Sequence, residues 1–198
     1  MKAAFLYVCI FFLVSCTGSP GISKASLLNL DGKSQVSAGT VDMETDAFGR
    51  KEDTPVSLFF YPAEGILAMN FLYEYVTFRQ FWDENALAVL AGSLACFLAD
   101  YEQGNLKPGR ARRAYGRVSL VVEWRSFDFS GLFRSCPYLD LGYSFRNGEL
   151  YFLLLQREAE ELNFSSHRLR SRRIAAFFSL SQARALSARL ATLQGDRE

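Results

Sequence analysis

Polar and apolar positions divide the 198 residues into three stretches. Residues 3–14 are uncharged and apolar on every side. Residues 17–54 are rich in Gly, Ser, Thr, Asp and Lys, with one apolar patch, Leu27-Leu28-Asn29-Leu30, and one aromatic, Phe48. From Thr54-Pro55 onward, alternating and helix-spaced apolar residues take over. Val56 to Tyr61 reads as a strand and Pro62-Ala63-Glu64-Gly65 as a turn. Ile66 to Phe81 reads as one long second strand, with Met69, Phe71, Tyr73 and Tyr75 on one face and Leu72, Val76 and Phe78 on the other. Asp83 suits the N-cap of a helix running to about Tyr101, since Ala86, Leu87, Leu90, Leu94, Phe97 and Leu98 recur at helical spacing. Gly104-Asn105 ends it. Arg117 to Trp124 alternates as a strand. Leu139–Phe145 and Leu150–Leu155 flank Arg146-Asn147-Gly148-Glu149, and Asn-Gly between two such runs is the strongest short-range hairpin signal. Arg168 to Phe178 reads as a last strand, and Ser179 or Ser181 caps a final helix through Leu193.

These elements predict an α+β fold: an antiparallel sheet of five to six strands packed by two helices. Phe59–Phe71 resembles Tyr143–Phe152 around a shared turn glycine, a faint ββα-type pseudo-repeat. This layout resembles, by topology alone, the strand-rich repeats with a C-terminal helix of PUR and Whirly-type nucleic-acid-binding folds. The resemblance implies nucleic-acid binding as a remote alternative function.

The N-terminus carries the sharpest signal. Lys2 precedes the apolar run, and Ser15 and Cys16 close it, the build of a secretory signal peptide. Its twelve apolar residues fall short of the roughly 20 that cross a bilayer. Leu13-Val14-Ser15-Cys16 resembles the lipobox of bacterial lipoproteins. That resemblance implies cleavage before Cys16 and acylation of its thiol. It also implies a protein exported and lipid-anchored to a bacterial membrane, facing the periplasm or cell surface. Thr17 in place of Asp leans towards the outer membrane. The expected organisation is a signal peptide over 1–15, a lipidated tether over 16–54, one globular domain over 55–194 and a tail over 195–198.

Composition adds bounds. A 49% hydrophobic and 15% aromatic content excludes a disordered chain. Charge is uneven: residues 1–100 carry 6 Lys/Arg against 11 Asp/Glu, and residues 101–198 carry 16 against 10. Arg168, Arg170, Arg172 and Arg173 form the densest basic cluster, beside the lone His167. Guanidinium forks suit phosphate or carboxylate, so the cluster is a candidate surface for an anionic envelope protein, glycan or lipid. The bland alternative is local pairing with Glu158, Glu160 and Glu161. Export argues against a nucleic-acid partner. Cys96 and Cys136 are a candidate disulfide in an oxidising compartment. Asp42, Glu44 and Asp46 lack the Gly and Glu spacing of a calcium loop. No GxSxG or metal-ligand spacing is present, and no cofactor is expected. The chain reads as a non-enzymatic binding or scaffolding module. The alternatives are an envelope enzyme centred on His167, or an apolar-ligand-binding module.

Overall fold

The computed structural model describes residues 30, 32–47, 50–108, 114–127, 131–162 and 169–195. The signal segment, Cys16 and the Arg110–Arg113 loop lie outside the described residues, as do His167 and Arg168.

The architecture is mostly β, which corrects the expected five-to-six-stranded α+β sheet. Ten strands form one antiparallel sheet in the order β5-β8-β9-β12-β1-β2-β3-β4-β6-β7. They are β1 Val36–Ala47, β2 Arg50–Tyr61, β3 Ile66–Tyr73, β4 Val76–Trp82, β5 Ala114–Ser119, β6 Val121–Ser126, β7 Phe133–Ser135, β8 Tyr138–Arg146, β9 Glu149–Gln156 and β12 Ile174–Phe178. A separate ribbon pairs β10, Ala159–Glu160, with β11, Arg170–Ser171. The helices are α1, Glu84–Glu102, and α2, Leu180–Gly195.

One residue shapes the whole sheet. β5 pairs with β8 at one end of the order, and β6 pairs with β4 near the other, yet only Leu120 separates them in the chain. The sheet must therefore curl so that its ends approach, and it becomes a half-barrel. Buried Gln80 on β4 then donates across the interior to buried Gln156 Oε1 on β9 at 2.9 Å, and Gln156 donates to the Arg172 carbonyl. Each amide finds a partner there, as burial requires.

The curled face holds the main core. Val41, Leu58, Leu67, Phe78, Leu139 and Phe152 are among its strand residues, and Leu90, Leu94, Phe97, Leu186 and Leu190 enter from the helices. α1 packs on β4, β5 and β8, and α2 on β1, β9 and β12. A Cβ on Gly116 of β5 would lie 2.7 Å from Val89 Cγ1, so the α1–β5 contact depends on glycine. Asp83 caps α1 by accepting from the Ala86 N–H at 2.9 Å. Ser179 and Gln182 cap α2 reciprocally.

The topology contains two runs of four strands and a helix: β1-β2-β3-β4-α1 and β5-β8-β9-β12-α2. The similar segments Phe59–Phe71 and Tyr143–Phe152 fall on the second and third strands of each run. In sheet order four strands rather than two accompany each helix, although β6, β7, β10 and β11 interrupt the second run in the chain.

Four boundaries differ from expectation. Residues 36–54 are not tether. They form β1 and the start of β2, paired from Val36↔Phe60 to Ala47↔Arg50. The run 66–81 is a hairpin turning at Glu74-Tyr75, so Phe71, Tyr73, Val76 and Phe78 all face the main core. The run 117–124 breaks at Leu120. The stretch 168–178 splits into β11 and β12, separated by Arg172 and Arg173.

Candidate functional site

The β1–β2 hairpin parts from both of its neighbours towards its turn. On one side β1 pairs with β12 only at Glu44↔Phe177 and Thr45↔Ala176. Beyond these pairs the Tyr73 hydroxyl donates to the Asp46 carbonyl at 3.0 Å. A cleft of about 260 Å³ opens there, lined by Asp46, Tyr73, Leu153, Leu155, Arg173 and Phe177, with Ala175. Its floor is apolar, because Leu153, Leu155 and Phe177 point away from the main core into a second cluster with Tyr151.

On the other side the β2–β3 ladder stops at Ser57↔Asn70, two residues from Pro55, which has no N–H to give. Lys51, Glu52 and Asp53 follow towards the turn, and such charges blunt an exposed strand edge. The resulting groove, about 500 Å³, is lined by Ala47, Arg50, Lys51, Glu52, Leu72, Glu74 and Tyr75.

Around the cleft, charges are closely matched. Arg146 pairs with Asp46 and its guanidinium lies 4.1 Å over the Phe177 ring. Lys51 contacts Glu44 at 2.8 Å and donates to the Tyr151 hydroxyl at 3.0 Å, and that hydroxyl donates to Glu149 at 2.6 Å. The hydrogen bonds to Glu44 and Tyr151 hold the Lys51 ammonium well above its ordinary value. Burial, then the bond to Glu149, raises the Tyr151 phenol, and burial raises Tyr73. These groups stay protonated at neutral pH. They supply shape and fixed charge, and neither phenol is poised as a base.

The arginine cluster read from sequence is divided. Arg170 pairs with Glu160 at 2.9 Å, the local pairing that the sequence allows. Arg172 pairs with Glu74, on the β3–β4 turn 98 residues away. Arg173 has no ion-pair partner among the described residues and lines the cleft. The candidate anionic-partner residue is therefore Arg173, and the companions it needs, Tyr73, Leu153 and Phe177, carry no motif in the sequence.

Cys96 and Cys136 are both free, which corrects the candidate disulfide. Cys96 is exposed on α1, whereas Cys136 packs against Tyr61, Ile66, Ala68, Phe81 and Val121 on the outer face of the sheet. Burial raises the Cys136 thiol above its ordinary value. Asp42, Glu44 and Asp46 lie in β1 rather than in a tether, where Asp46 and Glu44 are taken by Arg146 and Lys51. Among the described residues no group of three or more His, Cys, Asp or Glu could hold a metal ion, and no helix is long and apolar enough to cross a membrane.

No curated protein and no solved structure matches this chain. Residues 23–193 match the model of a family described as "Uncharacterised Treponema protein", and the chain belongs to that family.

Proposed function

We propose that this protein is a binding module carried to the bacterial envelope on a lipid at Cys16, and that it takes an anionic partner in the cleft between β1 and β12. The observation that carries the binding reading is Arg173. It stands over an apolar floor with no acidic partner among the described residues, while its neighbours Arg170 and Arg172 are both paired. An uncompensated guanidinium beside apolar surface recognises a carboxylate or phosphate better than it serves as a structural pair. The lipobox-like Leu13-Val14-Ser15-Cys16 supports the envelope location.

Two measurements test the two halves of this reading. The native protein should show an acylated mass starting at Cys16 and partition into detergent, while Cys16→Ser should not. A native protein that keeps residues 1–15 overturns the anchor. Arg173→Glu should remove the adduct formed by cross-linking in cells, while Arg170→Glu should leave it. Equal adducts from both variants overturn the assignment of the cleft.

A further inference from the structure

A second surface lies at the end of the sheet where the β3–β4 turn meets the end of β6. Val76 and Ser126 are ladder partners, so Tyr75 and Phe127, one residue beyond each, are neighbours at the rim. Tyr75 is 68% exposed and Phe127 75%. Leu72, near the rim end of β3, and Leu132, just before β7 at the same end of the sheet, are 49% and 45% exposed. Four of the large exposed hydrophobic side chains of the described residues thus gather on one rim. Scattered exposed apolar residues need no explanation, but a gathered set does.

Cations accompany them. Arg125 shares a depression of about 320 Å³ with Leu132, Thr77 and Arg79 on the outer face of β4 and β6, and Arg50 lines the groove beside Leu72 and Tyr75. Glu123 on this face is engaged by two N–H groups of Arg134, at 2.6 and 2.8 Å. Among the described residues that line these two hollows, Arg50, Arg79 and Arg125 stand beside Glu52, while Glu123 and Glu74 are held by arginines outside the hollows, so the described part of the rim carries a cationic excess. Glu74 is neutralised by Arg172.

The backbone holds this display at a cost. Glu74 and Tyr75 both take positive φ, 47° and 62°, although neither is Gly or Asn. Strain of this sort persists where surrounding structure enforces it, and it gathers at functional positions.

We infer that this rim docks on an anionic lipid surface, with Tyr75, Phe127, Leu72 and Leu132 entering the headgroup region and Arg125 and Arg50 meeting the lipid charge. Aromatic side chains settle at the membrane interface, and arginines beside them add attraction to anionic leaflets. The rim lies at the opposite end of the sheet from the point where the chain enters. There Lys33 contacts Glu64 at 3.4 Å beside the β2–β3 turn. The proposal needs neither an occupant in the cleft nor a lipid on Cys16.

The test uses the full chain, held on beads through a C-terminal tag. It offers fluorescent vesicles of phosphatidylcholine alone, or of equal parts phosphatidylcholine and phosphatidylglycerol. An N-terminal lipid or leader contributes equally in every variant, so the readout is the capture that depends on phosphatidylglycerol. Native protein should capture the anionic vesicles about tenfold better than neutral ones, and excess salt should weaken the preference. Tyr75→Ser with Phe127→Ser should abolish the preference, and Arg125→Glu should reduce it. Tyr101→Ser, exposed on α1, should leave it intact. Undiminished anionic capture by the double variant, at unchanged circular dichroism, overturns the proposal. So does equal native capture of neutral vesicles, or equal capture of polyglutamate-coated beads, which would assign the rim to an acidic protein.

Discussion

The β3–β4 and β8–β9 turns have the same backbone and opposite chemistry. Both place two consecutive residues at positive φ: Glu74 and Tyr75 at 47° and 62°, Asn147 and Gly148 at 52° and 85°. This geometry matches the right-handed twist of a two-residue hairpin, and Asn-Gly adopts it most readily. Glu-Tyr does not, because a Cβ at positive φ crowds the following carbonyl oxygen. The β8–β9 turn is built for stability. The β3–β4 turn gives up stability and gains an exposed Tyr75 and the Glu74–Arg172 link. The docking proposed for the rim gives that strain a use, the presentation of Tyr75.

Exchanging the two dipeptides tests this directly, and the larger effect comes from spoiling the good turn. Asn147→Glu with Gly148→Tyr should destabilise the protein by about 2 kcal/mol, seen as a fall of about 4–8 °C in Tm. It should leave vesicle capture unchanged in the folded protein. An unaltered Tm would mean that the β8–β9 turn carries no conformational advantage, and the comparison would lose its basis.

The same pair of turns explains what the sequence discloses. Asn147-Gly148 is legible because its residue types answer a steric demand. Glu74-Tyr75 is not, because Tyr belongs equally to a strand and the flanking residues are apolar, so 66–81 reads as unbroken. The corner at Leu120 is silent for a related reason: Val118, Leu120, Val122 and Trp124 all face the same core, so alternation runs straight through it. β1 hides in its composition. Val41, Met43, Thr45 and Ala47 alternate with Thr40, Asp42, Glu44 and Asp46, but the outward acids and small residues make the stretch look like a tether. At the site, Arg173 is visible as part of a basic run. That it alone of the described arginines in that run stays unpaired depends on Glu74, 98 residues from Arg172, and no local pattern records such a distance.

Repairing the strained turn is the converse experiment. Glu74→Asn with Tyr75→Gly should stabilise the protein by about 1 kcal/mol. The gain from relieving two strained residues is partly offset by losing the Glu74–Arg172 pair, which is worth under about 1 kcal/mol at a surface. Midpoint denaturant concentration should rise while anionic-vesicle capture falls. If stability rises and capture persists, the strain serves some end other than presenting Tyr75. If stability falls, the surrounding contacts of Glu74 outweigh the strain.

The smallest effect concerns how the two ends treat arginine. On the β8 side, Asp140 accepts from both Arg117 and Arg157. Burial opposes its ionisation, but the hydrogen bonds from Arg117 and Arg157 outweigh this and hold the carboxyl below its ordinary value. On the rim, Glu123 forms an ion pair with Arg134 alone among the described arginines. A carboxyl lowered by folding contributes stability that is complete above its unfolded value, about 4. That contribution fades as pH falls through the folded value, because the folded state then has to take up the proton it had resisted. Asp140→Asn should therefore be less stable than the native protein at neutral pH by under about 1 kcal/mol. The gap should stay level down to about pH 5 and close in stronger acid. A gap that persists undiminished in acid would show that Arg117 and Arg157 are held by packing rather than by the charge of Asp140. The contrast between an end that satisfies its arginines and an end that leaves them for a lipid surface would then rest on the rim alone.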